Sequence, residues 1–232
     1  MDKIESAHEF LAYASTGFFT EPRGRWVFRG HSDTSWKLHP SAGRDKHISK
    51  NREKYEKSLF DIFKREAHGY LSSTPGNDWE WLALAQHHGL PTRLIDWSHS
   101  PLVALFFAVD SNNDSDAELL ALHALTKTAS RNVKEKSPFS ISTPTKFYPN
   151  IVTTRIRAQE GIFVVSPDPE ADLEQILCSD WELMKFKIPA SKKATIKYEL
   201  FRMGIHVSSL FPDIDGLAAR LKWQHTVAPN GT

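Results

Sequence analysis

Two stretches of the chain set charged and hydrogen-bonding side chains directly among residues that must pack. Arg29 follows Trp26-Val27-Phe28 in a short aromatic run that continues into Gly30 and His31. The longer run from Gln86 to Trp97 interleaves His87, Arg93 and Asp96 with Leu90, Leu94, Ile95 and Trp97, and Ser98 follows. An arginine taken out of water needs a carboxylate, a phosphate or several carbonyls, because its unpaired charge costs several kcal/mol. Internal pairs such as Arg93 with Asp96 or Arg29 with Asp33 would meet that need, and so would a phosphate-bearing ligand. Trp26, Phe28 and Trp97 could then wall a pocket for a flat ring, or they could be plain core.

Other chemistries are excluded by pattern. The chain has no GxGxxG, GxxxxGK[ST], HExxH or GxSxG motif, which argues against dinucleotide-binding βαβ enzymes, nucleotide switches, zincins and α/β-hydrolases. His87 and His88 are adjacent, so on a helix they diverge by about 100° and do not share a metal easily. No metal site is expected. Cys178 is the only cysteine and cannot form an intrachain disulfide, which fits a reducing, cytoplasmic compartment.

The net charge of +1 argues against a surface-wide footprint for nucleic acid or anionic membrane. One basic strip, Arg44 to Arg65, is interleaved with acids in the way of a solvated helix face and leaves nucleic acid open as a partner. The longest apolar run, Pro101 to Val109, is far short of the roughly 20 residues that cross a bilayer, so no membrane partner is expected.

The elements that must position these residues follow from periodicity. The pattern predicts helices over residues 6 to 15, with Ser6 as cap, over about 50 to 72, and from an Asp78 cap onwards. In the last of these Trp79, Leu82, Ala83 and Gln86 share one face, which sends Gln86 inward and leaves His87 at the edge. Ser100 and Pro101 have the types of a cap and first residue for the apolar helix 102 to 109. Further helices are expected near 170 to 177, 190 to 203 and 212 to 223. Strands are expected at 26 to 30, 92 to 98, 118 to 125, 155 to 165, 181 to 188 and 205 to 208. Residues 126 to 146, rich in Ser, Thr and Lys, read as a long surface loop. Strands and helices mix without a βαβ rhythm and no linker divides the chain, so a single α+β domain over 1–232 is expected.

The run Trp26 to Gly30 with His31-Ser32-Asp33, Trp36 and Arg44 resembles the FRG domain family, named for its Phe-Arg-Gly tripeptide. So does the specific motif Gln86 to Ser98 followed by Pro101 and Ala104 to Ala108. The likeness continues through Arg155 to Gln159 with Gly161 and Phe163, and through Gly204 to Asp213, which is nearly the whole chain. A second, more distant resemblance is to the ADP-ribosyltransferase fold, whose NAD cleft lies between two small antiparallel sheets. Arg29 matches the early-strand arginine that holds the dinucleotide in that fold. Asp96-Trp97-Ser98 with Ala104 and Phe107 is similar to its Ser-x-Ser strand end and Ala-x-x-Phe helix, with Asp96 in place of the first serine. Its late-strand acid falls at Gln159-Glu160, and neighbours on a strand face opposite sides, so either could point inward.

These resemblances imply split antiparallel sheets flanked by helices, NAD as substrate, and Asp96, Ser98, Gln159 and Glu160 as catalytic candidates. Arg29, Gly30, His31, Trp26, His87, Arg93 and Trp97 are the candidates for holding NAD. Breaking the bond between nicotinamide and ribose develops positive charge on the sugar, so a nearby carboxylate stabilises the transition state while an arginine fixes the diphosphate. The implied activity is ADP-ribosyl transfer to a macromolecular acceptor, or NAD cleavage by water, in a bacterial toxin or phage-defence setting. The rivals are a non-catalytic nucleotide- or phosphate-binding module and a nucleic-acid-directed enzyme using the strip from Lys46 to Arg65.

Overall fold

The structure, a computed structural model, describes residues 3–20, 25–44, 51–111, 114–124, 135–150 and 153–226, without the Phe19 side chain. Six strands, β1 (Trp26–His31), β2 (Leu94–Ser98), β3 (Ala117–Ala124), β4 (Thr145–Phe147), β5 (Gly161–Val165) and β6 (Trp181–Ile188), form one antiparallel sheet in the order β4-β5-β2-β1-β3-β6. The pairing is uneven. β1 and β3 stay in register over the whole of β1 and β2 pairs with β5 along its length, but β1 meets β2 only at Phe28 opposite Ser98. The sheet is thus two three-stranded halves, β4-β5-β2 and β1-β3-β6, joined by one pairing. The expected α+β fold of antiparallel strands flanked by helices is what forms, with its two halves still in contact.

Each half buries one face under its own helices. Over β1-β3-β6 lie α1 (Ala7–Thr16), α5 (Pro101–Val109) and α7 (Ala190–Arg202), packed in a cluster that includes Phe10, Phe28, Leu105, Phe186 and Leu200. Over the other half lie α3 (Arg52–Ala67) and α4 (Asp78–His87), where Phe60, Trp79, Leu82, Leu94, Phe147 and Phe163 gather. The opposite face is shared: Val27, Ile95, Trp97, Leu120 and Val164 pack with Leu38, Leu173, Cys178 and Trp181. Short helices α2 (Ser41–Arg44), α6 (Thr154–Ala158) and α8 (Val207–Leu210) and the longer α9 (Ile214–Thr226) complete the fold.

Local chemistry explains where elements depart from expectation. Asn77, not Asp78, caps α4, its side chain accepting from Glu80 N at 3.1 Å, and Asp78 falls in the first turn. The expected strand from Arg155 to Val165 is divided, because the Thr153 hydroxyl accepts from Ile156 N at 3.2 Å and starts a helix there. His206 does the same for α8 in place of a strand, its Nδ1 accepting from Ser209 N at 3.1 Å. Only the 3-10 turn Leu173–Gln175 forms near 170 to 177. Of the expected loop 126–146, residues 126–134 lie outside the described residues. Its end is not loop: Thr145–Phe147 pairs with β5, and Phe147 is fully buried against Phe163. Among the described residues no helix is long and apolar enough to cross a membrane.

Candidate functional site

Where the two half-sheets part beyond Phe28 and Ser98, a cleft of about 440 Å³ opens on the helical face. α5 contributes Ala104 and Phe107, the end of α4 contributes Gln86 and His87, and α6 with its following turn contributes Arg155, Ile156 and Gln159. β1 supplies Phe28, Arg29 and Gly30, β2 supplies Asp96, Trp97 and Ser98, and Trp36 stands at the rim, half exposed.

The tripeptide at the end of β1 has a separate physical reason for each residue. Phe28 fills the core beneath α5. Gly30 is demanded by packing, since a Cβ there would lie 2.1 Å from Ala104 O and 2.4 Å from Ala108 N. Its role is to let α5 lie on the strand, which places Ala104 and Phe107 in the cleft wall. Arg29 reaches through the parting of the sheet. Its Nη1 donates to the Asp96 carbonyl at 2.6 Å and its Nε to His31 Nε2 at 3.1 Å. Burial lowers the guanidinium to about 10, opposed by the Asp96 carboxylate and reinforced by the charge of Arg44, so it is still a cation at neutral pH.

Asp96 is oriented from α4. Gln86 Nε2 donates to Asp96 Oδ2 at 2.9 Å, while Gln86 Oε1 accepts from the Thr92 hydroxyl at 2.7 Å. Ser41 joins the network, accepting from Thr92 N at 2.9 Å. Gln86 is half-buried, held at its place by the helix end, where Gly89 adopts φ +83° and closes α4. Among the described residues the Asp96 carboxylate forms no ion pair and accepts only the Gln86 hydrogen bond. His87 lines the cleft beside it, Nδ1 lying 3.4 Å from Thr153 Oγ1. Burial, then His88 and Arg155, push its pKa below the usual 6.5 against the pull of Asp96.

Several candidates have other duties. Arg93 is fully buried and does not reach the cleft: its backbone N and Nε donate to Glu56 at 2.6 and 3.0 Å, Nη1 donates to Pro167 O at 3.2 Å, and the guanidinium stacks on Phe139. Trp26 lies outside the cleft, stacked on its cross-strand partner His123 at 4.6 Å and packed against Phe18. His31 is buried behind Arg29 and touches Glu118 instead of the cleft. Glu160 is exposed in the turn before β5, with φ +48°, and does not line the cleft; Gln159 does. Ser98 is at the wall, but its hydroxyl donates to Gln159 O at 2.7 Å and accepts from Ser100 N at 3.0 Å. Gln159 Nε2 in turn donates to Leu210 O at 3.2 Å. Both tie the scaffold together. Gly30, Asp96 and His87 line the cleft; Trp97 borders it from β2, but its side chain is buried in the cluster on the sheet's opposite face.

Two contributors were not singled out from the sequence. Arg155 stacks on Phe211 at 4.5 Å and brings a second guanidinium to the cleft, and Trp36 adds an aromatic edge. Both stand in the stretches that carry the family likeness, which was the available signal. Within the basic strip, Lys64 pairs with Asp78, Arg65 with Glu66, and Arg52 donates to Gly43 O. Among the described residues no group of three or more His, Cys, Asp or Glu gathers as a metal site.

No curated protein and no solved structure matches the chain. The family match covers residues 24–117, from the approach to β1 through α5, and so includes Arg29, Gln86, His87 and Asp96 but not α6 or Gln159. The stretch that supplies the cleft's arginine, its carboxylate and the glutamine that orients it is similar to the FRG domain.

Proposed function

We propose that the cleft binds NAD through its diphosphate and breaks the bond between nicotinamide and ribose, passing the ADP-ribosyl group to an acceptor or to water. The observation that carries this reading is that the Arg29 guanidinium, bonded to the Asp96 carbonyl, and the Asp96 carboxylate share one cleft. Adjacent strands present a guanidinium and a carboxylate together in an aromatic-walled cleft, and each is fixed by contacts that leave part of it open. Arg29, with Arg155 across the cleft, suits a diphosphate, which takes up forked guanidinium donors. Trp36 and Phe107 suit the flat face of nicotinamide or adenine.

In the reaction the C–N bond breaks heterolytically and its electron pair leaves with nicotinamide, neutralising the pyridinium. The positive charge left on the ribose C1′ falls beside Asp96, whose orientation by Gln86 is in place before the reaction begins. A hydroxyl of the acceptor or of water then bonds to C1′ and gives up its proton. His87, uncharged at neutral pH because its pKa is lowered, is the group in the cleft suited to take it.

Incubating the protein with NAD and measuring nicotinamide release tests this directly. Release that Asp96→Asn lowers by about 10²-fold or more, with NAD binding retained, is the expected result. Binding of NAD without release would favour the non-catalytic module, a reading supported by the consumption of the Ser98 hydroxyl and the Gln159 amide in scaffold contacts. No NAD binding at all would overturn both.

A further inference from the structure

Behind Arg29 lies a buried pair that the reaction as described does not use. His31 and Glu118 face each other across β1 and β3 with Nδ1 3.2 Å from Oε1, and both are almost wholly enclosed. On its other side His31 presents Nε2 to Arg29 Nε at 3.1 Å. The guanidinium Nε always carries its hydrogen, so His31 Nε2 must be the bare, accepting nitrogen. The proton of the neutral ring then sits on Nδ1, where Glu118 accepts it. The chemistry of the two neighbours thus fixes the tautomer without any further assumption.

We infer that Glu118 and His31 are positioning residues for Arg29, holding its guanidinium across the parting of the sheet so that its remaining donors serve a phosphate-bearing ligand. The inference rests on the reading that Arg29 holds such a ligand. The titratable and charged groups facing His31 are Arg29 on its own strand, Glu118 on β3 and Arg44 on α2. Lys187, opposite Glu118 on β6, pairs with Asp116 at 2.7 Å. Burial and the two arginines hold the imidazole below its usual 6.5, Glu118 opposing them. A protonated His31 would aim Nε2–H at Arg29 Nε–H, donor against donor and cation against cation. Arg29 is therefore held at neutral pH and let go as the solution becomes acid enough to charge His31.

The test has an arm that needs no ligand. Long-range ¹H–¹⁵N spectra of the whole protein from about pH 8 to pH 5, the span in which an unperturbed imidazole titrates, report the His31 tautomer and charge. They should show Nδ1 protonated and Nε2 bare down to below 6.5, with a slowly exchanging Arg29 Nε–H. The second arm titrates inorganic pyrophosphate and NAD into three proteins. Glu118→Leu removes the acceptor and should loosen both ligands about tenfold, the worth of one hydrogen bond to a charged group, with faster Arg29 Nε–H exchange. Glu118→Gln keeps an oxygen for Nδ1–H and should restore affinity and slow exchange. An Nε2-protonated or charged ring at neutral pH overturns the inference, as does a Glu118→Leu protein with an unchanged tautomer and unchanged Arg29 exchange. If neither probe binds the native protein, the functional reading fails while the spectra still decide the role of the pair.

Discussion

Arg29 is held by one imidazole and one carbonyl, at 3.1 and 2.6 Å, and those two contacts demand the planar fork of a guanidinium. Arg29→Lys keeps the charge but cannot span both, so pyrophosphate and NAD affinity should fall about tenfold or more while the melting temperature changes little. An equal loss of both would make Arg29 a purely structural ion. Gln86→Ala should act on both counts. It removes the donor to Asp96 and leaves the Thr92 hydroxyl without its acceptor, costing about 1–3 kcal/mol in denaturant unfolding and lowering turnover. At this scale the sequence was readable where polar residues sat among apolar ones, which is why Arg29, His87 and Asp96 stand out. The same signal at Arg93 has a different cause, because its partner Glu56 lies on a helix 37 residues earlier and no local pattern announces the pair. Choosing between Gln159 and Glu160 needed the backbone, since the turn after α6 sends only Gln159 to the cleft.

Elements with strong periodicity or clear caps, such as α1, α5 and β6, were legible in the sequence, and those set by a single side-chain contact were not. Thr153 and His206 start helices in segments whose composition reads as strand. β4 exists because Phe147 can pack on Phe163 in a segment otherwise rich in Ser, Thr and Lys. The contact of α5 with β1 belongs to the same scale. Gly30→Ala would push a methyl group into the Ala104 carbonyl, and backbone cannot step aside as a flexible side chain can. Its expected cost is at or above the upper end of the roughly 1–3 kcal/mol typical of overpacking, read from denaturant midpoints, with the cleft wall displaced as well.

Across the whole molecule, His31, His87 and His206 all have their pKa lowered by burial. At these three rings the folded chain therefore binds fewer protons than the unfolded chain below the usual 6.5, and the stability they contribute is complete above that value and is lost as pH falls through the folded-state values. Thermal melts should be flat above about pH 7 and fall toward pH 5. The strand order has another consequence. Along the chain the two half-sheets interleave: β1, β3 and β6 build one, and β2, β4 and β5 the other. No single cut can separate them, and the stretch that matches the family ends at Ala117, where β3 begins. A peptide of residues 24–117 would carry β1 without β3 and β2 without β5, leaving one Phe28–Ser98 pairing and a helix, α5, with half its floor missing. Expressed alone it should give collapsed amide dispersion and no cooperative melt. The segment that resembles the family is then too small to hold the cleft, whose walls stand only with the strands that lie beyond it.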